Sequence, residues 1–135
     1  MNDFKQVILI DDDYATNFYN EIIVDDFGKV EEQKYFTSAV EALDYFRLQE
    51  KEAVQVLPEI IFLDINLPEM TGWEFLAEFE NLALYPMPTV IMLSTSMNPI
   101  DKVKANKNPL VLELIDKPLT IEYLNNLKNK LQVTI

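Results

Sequence analysis

Four apolar stretches of the chain each run into a residue suited to phosphate chemistry: Val7 to Ile10 into Asp11 and Asp12, Ile60 to Leu63 into Asp64, Thr89 to Leu93 into Ser94, and Leu110 to Ile115 into Asp116 and Lys117. Three carboxylates brought together repel one another unless a cation or a shared proton relieves them. Carboxylate, carbonyl and water oxygens suit Mg²⁺ or Mn²⁺, and Mg²⁺ is commonly held by one or two carboxylates plus phosphate oxygens. Asp11, Asp12 and Asp64 are therefore a candidate divalent-cation site. The Lys117 ammonium is suited to pairing with a phosphoryl oxygen, and the Ser94 hydroxyl to donating a hydrogen bond to another. An aspartate among them has the chemistry of a phosphoryl acceptor. Each residue alone reads equally well as a helix cap, a turn residue or a solvated charge. It is their joint placement at four strand ends that favours a site.

Composition removes many other chemistries. The chain has 135 residues, 49% of them hydrophobic, which matches one ordinary domain with a real core. No run approaches the roughly 20 apolar residues of a membrane span. Met1-Asn2-Asp3-Phe4-Lys5 lacks the basic start and long apolar stretch of a secretory signal, so a cytoplasmic protein is expected. With no cysteine and no histidine, disulfides, thiolate nucleophiles, a histidine phosphocarrier, a Ser-His-Asp hydrolase and typical zinc enzymes are excluded. Eleven basic residues against 23 acidic ones give a net charge of −12, the wrong sign for gripping nucleic acid directly, and its simplest meaning is solubility.

The elements that must position these groups read as strand and helix in alternation. Asp12 or Asp13 can cap a helix carrying Tyr14, Phe18 and Ile22 on one face. Ser38 with Glu41 forms a capping box ahead of Ala39, Ala42, Leu43 and Phe46, and Thr71 with Glu74 repeats it before Phe75, Leu76 and Phe79. Asn98 before Pro99 is a cap ahead of a first-turn proline, and Thr120 precedes Ile121, Leu124, Leu127 and Leu131. Residues 32–36 are the least apolar strand and belong at a sheet edge. The runs 7–10, 60–63 and 89–93 are continuously hydrophobic, as strands covered by helices on both faces must be. A (βα)5 doubly wound α/β sheet follows. Its strands would share a carboxyl edge, where ligands bind at the point of strand-order reversal. No repeat, linker or room for an output domain is expected within residues 1–135.

The segments Ile8-Leu9-Ile10-Asp11-Asp12-Asp13, Ile61-Phe62-Leu63-Asp64-Ile65-Asn66-Leu67-Pro68-Glu69-Met70-Thr71-Gly72, Val90-Ile91-Met92-Leu93-Ser94 and Asp116-Lys117-Pro118-Leu119 resemble the receiver domain of bacterial two-component response regulators, in its stand-alone, CheY-like type. The resemblance runs from about Val7 to the C-terminus. It implies a flavodoxin-like five-stranded parallel sheet of strand order 2-1-3-4-5. It also implies that Asp64 accepts a phosphoryl group from a histidine kinase or histidine phosphotransfer protein, while Asp11, Asp12, Asp64 and the backbone carbonyl of Asn66 hold Mg²⁺. Ser94 stands at the family's switch position, Lys117 at its phosphoryl-contacting lysine, and Lys117-Pro118 at a bond the family often makes cis. Output would pass to a protein partner on the face of the fourth helix, fifth strand and fifth helix, with no catalysis beyond the chain's own phosphorylation and dephosphorylation.

One position departs from the family's pattern: Leu114 replaces the Tyr or Phe common three residues before the lysine. A switch relying on Ser94 and residues 95–106 is then expected. Gly72 reads as a point of close approach, Trp73 as packing and Pro68 as a loop stiffener.

Two other functions stay open on the residues. A haloacid-dehalogenase-type magnesium phosphatase would use Asp11 and Asp13 as nucleophile and general acid, but Thr16 falls one position late for that motif and Asp64 has no part in it. A receiver-like interaction module independent of phosphorylation would not need the full set of Asp11, Asp12, Asp64, Ser94 and Lys117.

Overall fold

The computed structural model describes residues 3–95 and 98–133. Strands and helices alternate as β1 (Phe4–Ile10), α1 (Tyr14–Phe27), β2 (Val30–Phe36), α2 (Ala39–Glu50), β3 (Ile60–Asp64), α3 (Gly72–Phe79), β4 (Thr89–Ser94), α4 (Pro99–Lys107), β5 (Val111–Asp116) and α5 (Ile121–Val133). All strand pairs are parallel, in the order β2-β1-β3-β4-β5. The doubly wound, flavodoxin-like arrangement expected from the sequence is the one observed.

Alternation along the central strands divides the core between the two faces of the sheet, because successive side chains point to opposite sides. Ile8, Ile10, Ile61, Leu63, Val90 and Met92 meet Leu43 and Phe46 of α2, Phe75 and Phe79 of α3 and Ala105 of α4. Val7, Leu9, Phe62, Ile91 and Leu93 meet Val24 and Phe27 of α1 and Leu124 and Leu127 of α5. Both faces being covered is why the stretches 7–10, 60–63 and 90–93 of these strands carry no polar residue. β2 lies at an edge, and Glu31, Glu32, Gln33 and Lys34 on it suit a strand with one open side.

The caps are those of the sequence, with two refinements. Asp13, and not Asp12, caps α1, and the chain leaves that helix through Gly28 at φ +73°, a left-handed conformation that glycine adopts without penalty. Ser38 accepts from the Glu41 amide, but only Thr71 and Glu74 at α3 close the reciprocal box among the described residues. Asn98 caps α4 ahead of Pro99, and Thr120 accepts from the Tyr123 amide at α5.

The face of α1 differs from expectation. Tyr14, Phe18 and Ile22 are exposed, the first two by 70% and 66%, while Asn17, Asn20, Val24 and Phe27 turn inward. The cap on Asp13 sets the helix rotation, and that rotation brings Asn17 rather than Phe18 over the end of β1.

Candidate functional site

In the order β2-β1-β3-β4-β5 the chain winds outward in both directions from the β1–β3 pair, so the strand order reverses there. Asp11 follows β1 and Asp64 ends β3, which puts the two on either side of that reversal point. Both are buried, at 2% and 4% exposure, while Asp12 is exposed. One carboxylate oxygen from each of Asp11, Asp12 and Asp64 lies within 4.8 Å of the others. Lys117, just past β5, reaches across with Nζ 2.6 Å from Asp11 Oδ2 and 3.3 Å from Asp64 Oδ1.

This distribution of charge is unbalanced: three carboxylates face one ammonium. Burial, then the charge of Asp11, pushes the Asp64 carboxyl above the ordinary aspartate range, against the opposing pull of Lys117. Burial works against the Lys117 ammonium, but its bond to Asp11 and the charges of Asp11 and Asp64 outweigh it and hold its pKa above that of a free lysine. The donor set is all oxygen, anionic and incompletely neutralised, and so fits a hard divalent cation such as Mg²⁺ or Mn²⁺.

The backbone around the cluster is tied in place. Asp13 N–H donates to Asp11 Oδ1 at 3.0 Å, and Asn66 N–H to Asp64 Oδ1 at 3.3 Å. Ser94 is buried at the end of β4, and its carbonyl accepts from Lys117 N–H at 2.9 Å, joining the last two strand ends. Lys117-Pro118 is cis, as is Tyr85-Pro86. A Cβ on Gly72 would lie 2.7 Å from the Asp64 carbonyl oxygen and 3.1 Å from Ile65 Cα, so α3 begins pressed against the backbone of Asp64. Close approach is therefore the role of that glycine.

Other sequence-derived candidates fall outside the carboxylate cluster. Asp13 is engaged in capping, accepting from Ala15 N–H and from the Thr16 hydroxyl, and both bonds lower its pKa. Leu114 pairs in register with Met92 and packs, partly buried, on the core shared with α2 and α3. Residues 95–106 contain Ser96 and Met97, which lie outside the described residues. Trp73 packs on the same core, and its indole N–H also donates to Asp101 at 2.9 Å. The sequence reading missed Asn17, whose side chain donates to the Asp11 carbonyl at 2.7 Å. Its only signal was the second inward periodicity on that helix, 17, 20, 24 and 27.

A wide depression of about 910 Å³ lies at the opposite, amino edge of the sheet, lined by residues including Phe4, Gln6, Leu57 and Met87. None of the clustered carboxylates lines it. No helix among the described residues is long and apolar enough to cross a membrane.

A doubly wound sheet with acidic groups and a lysine gathered at its reversal point defines a class of α/β domains that bind ligands at that edge. Comparison with known proteins narrows the class. The response regulator receiver domain pattern matches residues 7–129, and the chain belongs to that family. A two-component response regulator from Cytophaga hutchinsonii has the same fold, with a TM-score of 0.84 and 37% identity over 94% of this chain and 96% of that one. Among curated relatives, a probable methanogenesis regulatory protein, FilR2, of Methanothrix harundinacea is 36% identical over 62% of this chain and 52% of its own length. The rice two-component response regulator ORR1 is 30% identical over 68% of this chain and 39% of its own. The chain thus spans about half or less of the length of these two relatives.

Proposed function

We propose that this receiver accepts a phosphoryl group on Asp64 from the phosphohistidine of a histidine kinase or histidine phosphotransfer protein, and signals by phosphorylation-dependent binding of a protein partner. The observation that carries this reading is the convergence of Asp11, Asp12 and Asp64 within 4.8 Å, with Lys117 spanning two of them. A Mg²⁺ ion held by these carboxylates and the Asn66 carbonyl would offset their charge and that of the transferring phosphoryl oxygens. The chain's own part is positioning. Asp64 Oδ forms a bond to phosphorus as the P–N bond to the donor imidazole breaks, and the electron pair returns to the ring. The Lys117 ammonium exchanges its contact with Asp64 for an oxygen of the incoming group, and the Ser94 hydroxyl donates to another.

The same site admits water, so the only turnover is the making and loss of the chain's own acyl phosphate. Without an aromatic ring at Leu114, the change of state passes through Ser94 and the segment that follows it. Nothing in this reading requires nucleic acid or membrane, and a cytoplasmic setting suits it.

Incubation with acetyl phosphate and Mg²⁺, followed by intact mass measurement, tests the assignment. Wild type should gain one phosphoryl group, and the gain should vanish in Asp64→Asn and with chelator. A gain that survives Asp64→Asn but not Asp11→Asn would transfer the role to Asp11 and revive the phosphatase chemistry. No gain with any donor, histidine kinase included, would leave a phosphorylation-independent module.

A stability measurement checks the charge balance separately. Because the Asp64 pKa is raised on folding, its ionisation destabilises the metal-free protein once pH exceeds the unfolded value of 3.8, and the penalty grows until the folded pKa is passed. Metal-free Asp64→Asn should therefore melt higher than wild type at pH 7. The gap should close as pH falls below 3.8, where the aspartate is protonated in both states.

A further inference from the structure

Asn17 occupies a position where burial alone would select an apolar side chain. It is 1% exposed, on the same face of α1 as Val24 and Phe27, which fill the core. Its Oδ1 is buried with no hydrogen-bond partner among the described residues, an arrangement that costs stability. What the residue supplies is geometry: Nδ2 donates to the backbone carbonyl of Asp11 at 2.7 Å.

Asp11 stands where β1 leaves the sheet. Its N–H still bonds to the Phe36 carbonyl of β2 at 3.1 Å, and its carboxylate is held by Asp13 N–H and Lys117. The carbonyl faces the turn, and a buried carbonyl needs a donor. Asn17 provides it from one turn inside α1, so the peptide joining Asp11 to Asp12 is fixed to the helix as well as to the sheet. A rotation of that peptide would redirect both carboxylates together.

We propose that Asn17 is a positioning residue that keeps the Asp11 and Asp12 carboxylates aimed at Asp64 for cation binding. The proposal rests on the divalent-cation reading of the site. Asn20 is a built-in control: it lies on the same face of α1, is 1% exposed and also has an unpartnered Oδ1, but no described hydrogen bond joins it to residues 11–13.

The test is Mn²⁺ binding to the whole chain, counted from the electron paramagnetic resonance of the free ion, for wild type, Asn17→Ala and Asn20→Ala, alongside the metal-free Tm of each. Residues that orient metal ligands typically change affinity by 10-fold or more, so Asn17→Ala should weaken Mn²⁺ binding about tenfold. Asn20→Ala should stay near wild type while losing comparable Tm. If either alanine variant fails to fold, the serine variant at both positions is compared in the same way. Equal shifts in Mn²⁺ affinity for the two asparagines, or none at Asn17, would overturn the proposal. Failure of the site reading looks different: wild type would then show no Mn²⁺ binding that Asp12→Asn or Asp64→Asn removes, and the proposal would fall with it.

Discussion

α3 and α4 flank the same functional edge of the sheet, yet they are attached to the body by different means. α3 starts with a closed capping box, presses Gly72 onto the backbone of Asp64 and buries Phe75, Leu76 and Phe79 completely. Phe79 stacks on Phe75 at 5.3 Å and meets Phe46 of α2 edge-on at 4.9 Å. α4 buries only Ala105 and leaves Ile100 and Val103 exposed by 66% and 51%. Its polar hold on the body runs through α3: Asp101 accepts from the Trp73 indole N–H, and Lys104 lies over the same ring at 5.8 Å. Burying one large apolar side chain contributes about 1.5–3 kcal/mol, so moving α3 would empty the core, whereas α4 has one small side chain to lose. Few buried apolar contacts mark an element of low local stability. Asp64 thus backs onto a rigid wall, whereas the helix after Ser94 is held by few buried contacts.

Substitutions can break or sharpen this contrast. The largest effect should come from Phe79→Ala, which opens the aromatic cluster and should cost about 3–5 kcal/mol in denaturant unfolding. A loss no greater than that of an α4 surface variant would remove the distinction between the helices. Gly72→Ala forces α3 away from the Asp64 carbonyl and should cost about 1–3 kcal/mol, together with slower phosphorylation by acetyl phosphate. Trp73→Phe keeps an aromatic ring but removes the bond to Asp101 and should cost about 1 kcal/mol. Its sharper signature is in hydrogen exchange, which should quicken at residues 99–107 and stay unchanged at 72–79. Val103→Ser should change stability by less than about 0.5 kcal/mol, since it alters an exposed position. A clear loss there would mean that α4 is more firmly seated than its burial indicates.

Much of the site was legible in the sequence because it rests on local rules. A continuous apolar run forces a strand into the sheet interior, and the first polar residue after it must emerge at the edge, which is how Asp11, Asp64 and Ser94 declared themselves. Capping residues act within one helical turn, so Thr71 with Glu74 and Asn98 with Pro99 were equally readable. The inward face of α1 was not. Tyr14, Phe18 and Ile22 form an apolar stripe with helical spacing, and periodicity treats any such stripe as core. Here the structure leaves it in solvent and buries two asparagines instead.

What the sequence determined by itself was the element order, the two-sided burial of the central strands and the chemical types available at their ends, because these follow from side-chain patterning along a few residues. The tertiary structure decided the rest: which carboxylates converge, that Lys117 bridges Asp11 and Asp64, which face of α1 turns inward, and how firmly each flanking helix is held. Those outcomes depend on contacts between residues as far apart as Asp11 and Lys117, whose meeting is set by sheet order and helix rotation.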